Sequence, residues 1–388
     1  MPIAPLAPRA RQQALDAEGR LGADLLELLA PADRNVVLSP YSIAVALQMA
    51  LVGARGATAT EMARTLHQPG VSVDALLHQA AALRHEVTAL DDSRHGVALR
   101  IANDAWPQAG YPIKAAFTQA LQAGFGVGVR PVDFGGDPPR ARHTINQAVA
   151  GETNGKIPEL FPADLDRLTR LVLTNAVYLN ARWAVPFDAK VTQPGRFHRI
   201  GRNARDVSVP FLHGTGAYGY ARRSGYQLVS LPYQDSHLAM TLIVPDGPLA
   251  TVENSLRTGG LAALLAGPLP PAEVTLMLPK FRFHTHAELT NPLRELGMRD
   301  AFDPVRADFS GITDAETLFI SHVMHQAYIA VDEHGTEAAA ATGVVGQATA
   351  ALGRTATVTV DHPFLFAITD QTTGTPLFLG RVADPSQG

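Results

Sequence analysis

"HGTEAAAATGVVGQATAALGRTATVTV", His334 to Val360, lies near the end of a chain of 388 residues. Four consecutive alanines, Ala338 to Ala341, favour helix, but the Gly and Thr around them do not. No proline occurs between Pro304 and Pro363. Composition alone would fit a flexible linker. The parity points elsewhere: every second residue from Thr336 gives Thr336, Ala338, Ala340 and Thr342, all small and uncharged, whereas Glu337 falls on the other face. Small residues on one face let a strand enter a packed sheet, and the missing proline leaves every N–H free for a ladder. The segment is expected to be able to become a central strand, lying between runs at Leu318 to Asp332 and Thr355 to Ile368 that both read as strands.

Outward from that segment, helical periodicity comes early and strand patterns later, an order that predicts an α+β fold without internal repeats. Apolar residues recur at helical spacing from Leu21 to Ala30 and from Ile43 to Leu66. The second run opens at "SPYSIAVALQMAL", with Ser39 as the cap and Pro40 in the first turn. Strands are expected at "LTNAVYLNARW", "YQLVSLPY", "LAMTLIVPDG", "VTLMLPKFRF" and "FISHVMHQAYIAVDE", and a hairpin at "DQTTGTPLF". "RELGMRDAFDPVRADFSGI" reads as a short helix followed by loop. No shift in composition marks a boundary, so residues 1–388 are expected to form one domain.

Composition removes several functions. A net charge of -4, with only four lysines among 32 basic residues and no dense basic patch, argues against nucleic acid, heparin or an anionic membrane as a partner. The absence of cysteine excludes disulfides, thiol nucleophiles and Cys-based zinc sites. No signal-peptide core opens the chain, no run reaches the ~18 apolar residues of a membrane span, and no Asn-x-Ser/Thr triplet is present.

An enzyme would need a nucleophile in context. No Gly-x-Ser-x-Gly elbow, His-Glu-x-x-His helix or phosphate loop exists, and "GFGVGV" at Gly124 lacks dinucleotide spacing and reads as turn and strand. His284 and His286 share a strand face, but no third ligand stands at metal spacing, so they read as surface histidines. Neither catalysis, nor a metal, nor a cofactor is expected.

Seven stretches in order resemble the signatures of one family: "NVVLSPYSIAVAL", "TNGKI", "LTNAVYLNARW", "LPKFRF", "ADFSGI", "VDEHGTEAAAAT" and "DHPFLFAITDQTTGTPLFLGRV". Over nearly its whole length the chain resembles a serpin. That resemblance implies three β-sheets with eight or nine helices and an exposed reactive-centre loop, here about residues 334–355. It also implies a monomeric suicide substrate for a serine-type endopeptidase. The protease cuts the loop and is held as a 1:1 covalent acyl-enzyme while the cut loop inserts as a central strand of the large sheet. About fourteen residues at ~3.3 Å each would carry the protease roughly 45 Å. Non-inhibitory serpins, which act as binding, carrier or chaperone proteins, share these signatures. They tend to carry bulky, charged or proline residues where this hinge is small from Ala338 to Gly343.

By the same resemblance the hinge is Glu333, Gly335, Thr336, Glu337, Ala338, Ala339, Ala340, Ala341 and Thr342. Ser39, Ser42, Asn175 and His325 match the polar shutter beneath the opening of the sheet, although capping and ordinary core satisfaction would also account for them. Trp183, Lys280 and Glu333 match the breach where insertion begins, with Glu333 able to pair with Lys280. Glu337→Arg, on the opposite parity, is expected to do less damage to trapping than Thr336→Arg, because its side chain need not enter the same buried face.

Counting forward from Glu333 as the seventeenth residue before the cut places the reactive bond at Thr349-Ala350; counting back from Pro363 gives Leu352-Gly353, with Arg354 close behind. The forward count is preferred, because the length from hinge to bond sets how tightly the protease is pulled. Small residues there suit an elastase-like or subtilisin-like serine protease. Family members mostly act outside cells, whereas this chain shows no export signal; extracellular action is the expectation on resemblance alone.

Overall fold

The computed structural model describes residues 4–92, 96–201, 204–315, 318–337 and 354–387. Among them are eight α-helices: α1 (Pro8–Leu29), α2 (Pro40–Gly53), α3 (Gly56–Thr65), α4 (Val73–Ala89), α5 (Ala115–Phe125), α6 (Pro138–Glu152), α7 (Leu249–Leu264) and α8 (Thr290–Glu295). Ser39 caps α2 by accepting a bond from the Ser42 amide, with Pro40 at the first helical position. All but one residue of α2 are buried, which is why its sequence is apolar on every face and carries no amphipathic stripe.

The helical run expected from Ile43 to Leu66 is two helices rather than one. Ala54 is extended and Gly56 takes a left-handed φ of 54°. Gly53 packs so closely that a Cβ there would come 2.2 Å from Ile312 Cγ1. The chain therefore turns between α2 and α3 while keeping its apolar spacing. In the other direction α1 starts at Pro8, well before the apolar stretch that announced it.

The strands form two networks. The first is a nine-stranded sheet in the order β1 (Val36–Leu38), β14 (Pro376–Val382), β13 (Phe364–Asp370), β7 (Leu238–Pro245), β6 (Tyr226–Pro232), β5 (Val207–Arg223), β8 (Pro271–Pro279), β12 (Thr355–Thr359), with β4 (Gln193–Phe197) also on β5. The 17 residues of β5 pair with β4 and β8 along their first part and with β6 from Gly219 onward. One long strand thus joins what the family resemblance counts as two separate sheets. Two continuous patterns in the sequence are cut by this arrangement. "VTLMLPKFRF" divides at Lys280 into β8 and β9 (Phe281–Glu288), which belong to different sheets, and Thr355 to Ile368 divides at Pro363 into β12 and β13.

The second sheet has the order β2 (Val97–Pro107), β3 (Leu171–Arg182), β11 (Gly335–Thr336), β10 (Ile320–Val331), β9. Its inner face joins the main core through Leu173, Val177, Leu179, Val323 and Ala327. Its outer face is covered by α6, where Trp106, Ile145, Val149, Val172, Ala176 and Met324 make a second apolar cluster. A sheet filled on both faces has fixed side-chain parity, because a one-residue slip would exchange its two faces.

Candidate functional site: a fork in the five-stranded sheet

β3 and β10 run parallel and are paired directly from Leu171/Ile320 to Val177/Ala327. Above that point they part, and the two residues of β11 lie between them, antiparallel to both: Thr336 stands opposite Ala181 on one side and Val331 on the other. Trp183 N donates to His334 O at 2.9 Å, and Glu337 N to Ala330 O at 3.0 Å. Thr336 is fully buried with its hydroxyl 2.6 Å from that of Tyr233, itself buried. Burial raises the Tyr233 pKa, against the opposing effect of the Thr336 bond, so the phenol keeps its proton. Gly335 approaches β3 so closely that a Cβ would lie 2.0 Å from Ala181 O.

The base of this wedge is held from several sides. Trp183 stacks on Tyr233 at 4.8 Å between centroids, and its Nε1 donates to Asp332 O at 2.9 Å. Lys280 Nζ lies 2.7 Å from Glu333 Oε2, while Thr192 Oγ1 donates to the other carboxylate oxygen at 2.9 Å. Burial alone would raise the Glu333 pKa, but the bonds from Lys280 and Thr192 leave it below the ordinary value. Lys280 is about a third exposed (34%), which limits the pair to the ~0–1 kcal/mol of screened ion pairs.

Below the fork a polar cluster crosses the sheet. Ser42 Oγ donates to Asn103 Oδ1 at 2.9 Å, and Asn175 Nδ2 donates to the same oxygen at 2.5 Å and to Ser42 Oγ. His325 Nδ1 bonds Asn175 Oδ1, an acceptor, which places the ring proton on Nδ1. Asn103 and Asn175 are register partners on β2 and β3, so the cluster ties three strands to α2. His325 is fully buried, and burial, reinforced by His286, lowers its pKa to about 3. The imidazole is therefore neutral, and its Nε2 has no partner among the described residues.

The residues singled out in the sequence divide into three sets. Ser42, Asn175 and His325 share one cluster; Ser39 touches it only through the cap bond to Ser42. Trp183, Lys280 and Glu333 flank the wedge. Ala338 to Thr342 and Thr349-Ala350 lie outside the described residues. Asn103, Thr192 and Tyr233 were not anticipated, since each enters by a contact more than sixty residues distant along the chain. Glu337 is less free than its parity suggested: Lys156 Nζ is 2.6 Å from its carboxylate and Asn180 Nδ2 is 2.5 Å from its carbonyl. His286 bonds Leu160 O at 2.7 Å, and no metal-holding group occurs among the described residues. "GFGVGV" ends α5, with Gly126 as its left-handed C-cap.

Residues 16–385 match the family described as serpin (serine protease inhibitor). The chain is 38% identical over 369 residues to an uncharacterized serpin-like protein of Thermococcus kodakarensis, covering 94% of this chain and 84% of that one. It is 34% identical over 388 residues to leukocyte elastase inhibitor of Homo sapiens, covering 96% and 100%. Among solved structures, the thermophilic serpin tengpin in its native state superposes with a TM-score of 0.87 at 25% identity, over 99% of this chain and 96% of that one.

Proposed function

Because the chain belongs to the serpin family, typically non-enzymatic inhibitors, we propose that it is an inhibitory member that traps a serine protease as a suicide substrate. The observation that carries this reading is Thr336, the first inward residue of the small-residue segment, buried between β3 and β10 where an added central strand would begin. The target protease's serine Oγ attacks the Thr349 carbonyl carbon, the Thr349-Ala350 C–N bond breaks, and the Ala350 nitrogen leaves with a proton as a free amine. The ester that remains tethers the protease to residue 349.

Insertion then proceeds downward from Thr336. It parts β3 from β10 and displaces the direct pairing between Val177/Ala327 and Leu171/Ile320. Each small side chain is buried and each backbone group finds a ladder partner, at about 1 kcal/mol per bond, so roughly ten bonds supply on the order of 10 kcal/mol. The uncut protein is thus held by a barrier, not by an equilibrium minimum. Ser42, Asn103, Asn175 and His325 act as the clasp across that path, and Trp183, Lys280 and Glu333 anchor its entrance. Residues 1–388 act as one domain and as a monomer in a 1:1 complex.

The small residues around the bond support an elastase-like or subtilisin-like target, as does the likeness to a relative named for inhibiting leukocyte elastase. Incubation with pancreatic elastase or subtilisin should give a denaturant-resistant 1:1 adduct and release a C-terminal peptide beginning at Ala350. A peptide beginning at Gly353 or Thr355 would refute the forward count. No adduct across a panel of serine proteases would favour a non-inhibitory binding protein.

A further inference from the structure

In an antiparallel ladder, two opposed residues that share one hydrogen bond exchange a second one in return. Glu337 N already donates to Ala330 O, so in a continuing strand the Glu337 carbonyl would receive the Ala330 N–H. Its carbonyl is held instead by the side-chain amide of Asn180, at 2.5 Å. The Glu337 backbone has a left-handed φ of 54°, uncommon for a residue other than glycine and incompatible with a strand. Its side chain turns to the outer face of the sheet, where Lys156 meets it at 2.6 Å. Lys156 is delivered there by the turn after α6, in which Asn154 and Gly155 are both left-handed, and its ammonium rests 5.6 Å from the centroid of the Tyr178 ring.

These contacts coincide with the fork. β3 and β10 are joined up to Val177/Ala327, β11 occupies the gap at Ala181, and Asn180 stands between the two. Continuing the register two residues beyond the Thr336/Ala181 pair would bring position 338 opposite Leu179. That step requires Glu337 to leave its left-handed conformation and Asn180 to release the carbonyl. The hold is reversible by construction: Lys156 is 44% exposed, and the second Glu337 carboxylate oxygen, though buried, has no partner among the described residues.

We infer that Lys156 and Asn180 are positioning residues that fix the resting depth of the loop, stopping strand insertion at Thr336 until the loop is cut. The inference rests on the insertion reading above, but its first test needs no protease. Deuterium uptake by the uncut protein at Ala181–Trp183 and Gly335–Glu337 reports directly on the seating of the wedge. The half-time for conversion to a denaturation-resistant uncut form reports on escape past it.

Asn180→Ala and Lys156→Glu should each raise uptake at these amides and shorten the half-time about tenfold, the scale of one lost coupling. Combining Lys156→Glu with Glu337→Lys should restore both readouts to within about twofold of wild type, since the swapped pair can reform. Lys156→Met, neutral at a half-exposed position, serves if the charge reversal folds poorly, and should behave like Asn180→Ala. Unchanged uptake in Asn180→Ala and in the Lys156 variant would overturn the stop. So would a double variant whose effects are merely the sum of the two single ones. If wild type neither converts nor traps any protease, the inhibitory reading fails, and the uptake comparison still decides whether Lys156 and Asn180 seat the wedge.

Discussion

The hydroxyls of Tyr233 and Thr336 meet at 2.6 Å inside a gap that β3 and β10 hold open. Each satisfies the other where neither reaches water, so the entrance to the sheet is occupied by a residue that fits it, and the partner that receives it stands one residue past the end of β6, a strand of the other sheet.

Tyr233→Phe removes the partner of a buried hydroxyl without changing volume much. It should lower the stability of the uncut protein by about 1 kcal/mol, seen as a fall of roughly 1–3 °C in its unfolding temperature. The stack on Trp183 should survive, so tryptophan emission should change little. A variant as stable as wild type would mean that Thr336 is held by its backbone alone.

Gly335→Ala places a methyl 2.0 Å from Ala181 O and 2.8 Å from Arg182 Cα, both backbone atoms of β3 that cannot swing aside as a side chain would. The wedge should be expelled and insertion delayed. Counting inhibitor molecules cleaved per protease trapped, the ratio should rise severalfold over wild type. An unchanged ratio would show that the close approach at Gly335 has no part in trapping.

These two positions mark how far the sequence could be read. The parity of Thr336 and Glu337 was legible because alternation is local, and the cap formed by Ser39 and Pro40 was legible for the same reason. Tyr233 was not: it closes "YQLVSLPY" as one more aromatic at a strand end, and its meeting with Thr336, 103 residues away, leaves no local trace. Asn103 was hidden because β2 itself was not recognised in "VALRIANDAWP", where polar residues interrupt the pattern. The breaks at Gly56 and at Lys280 were missed because apolar spacing continues across them. The contact of Glu337 with Lys156 was not legible either, because the place of Lys156 above the sheet is set by the turn after α6.

The buried histidine predicts an acid-sensitive clasp. His325 has a folded pKa of about 3 against an ordinary value near 6.5, so its neutral form belongs to the fold. The stability it contributes is present above about pH 6.5 and is lost as pH falls toward 3, by at most about 1.4 kcal/mol per pH unit. Urea midpoints between pH 7 and 5 should fall more steeply for wild type than for His325→Gln. Asp104, raised to about 6 mainly by burial, titrates in the same window in both proteins and cancels in the comparison. Equal slopes would contradict the assignment.

Glu18 predicts the opposite trend. It lies in α1, 2% exposed, with Oε2 unpartnered among the described residues, and burial raises its pKa to about 8. The favourable contribution of its protonated form is complete below about pH 4.5 and is lost as pH rises through 8. Glu18→Gln should therefore be more stable than wild type at pH 8, by on the order of 1 kcal/mol or more, with little difference at pH 4.5. Parallel stability curves from pH 4.5 to 9 would show that the carboxyl finds water or a partner.

The central claim is that trapping requires Thr336 to enter the sheet, and Thr336→Arg tests it most directly. A guanidinium at a fully buried position costs several kcal/mol unless it is paired. Insertion should then lose its race with hydrolysis of the ester. Incubated with an elastase that wild type traps, and resolved on a denaturing gel, Thr336→Arg should be cut at the same bond and leave no covalent adduct; Glu337→Gln, which keeps the inward face intact, should still trap. Adduct from Thr336→Arg at the wild-type yield would contradict the account.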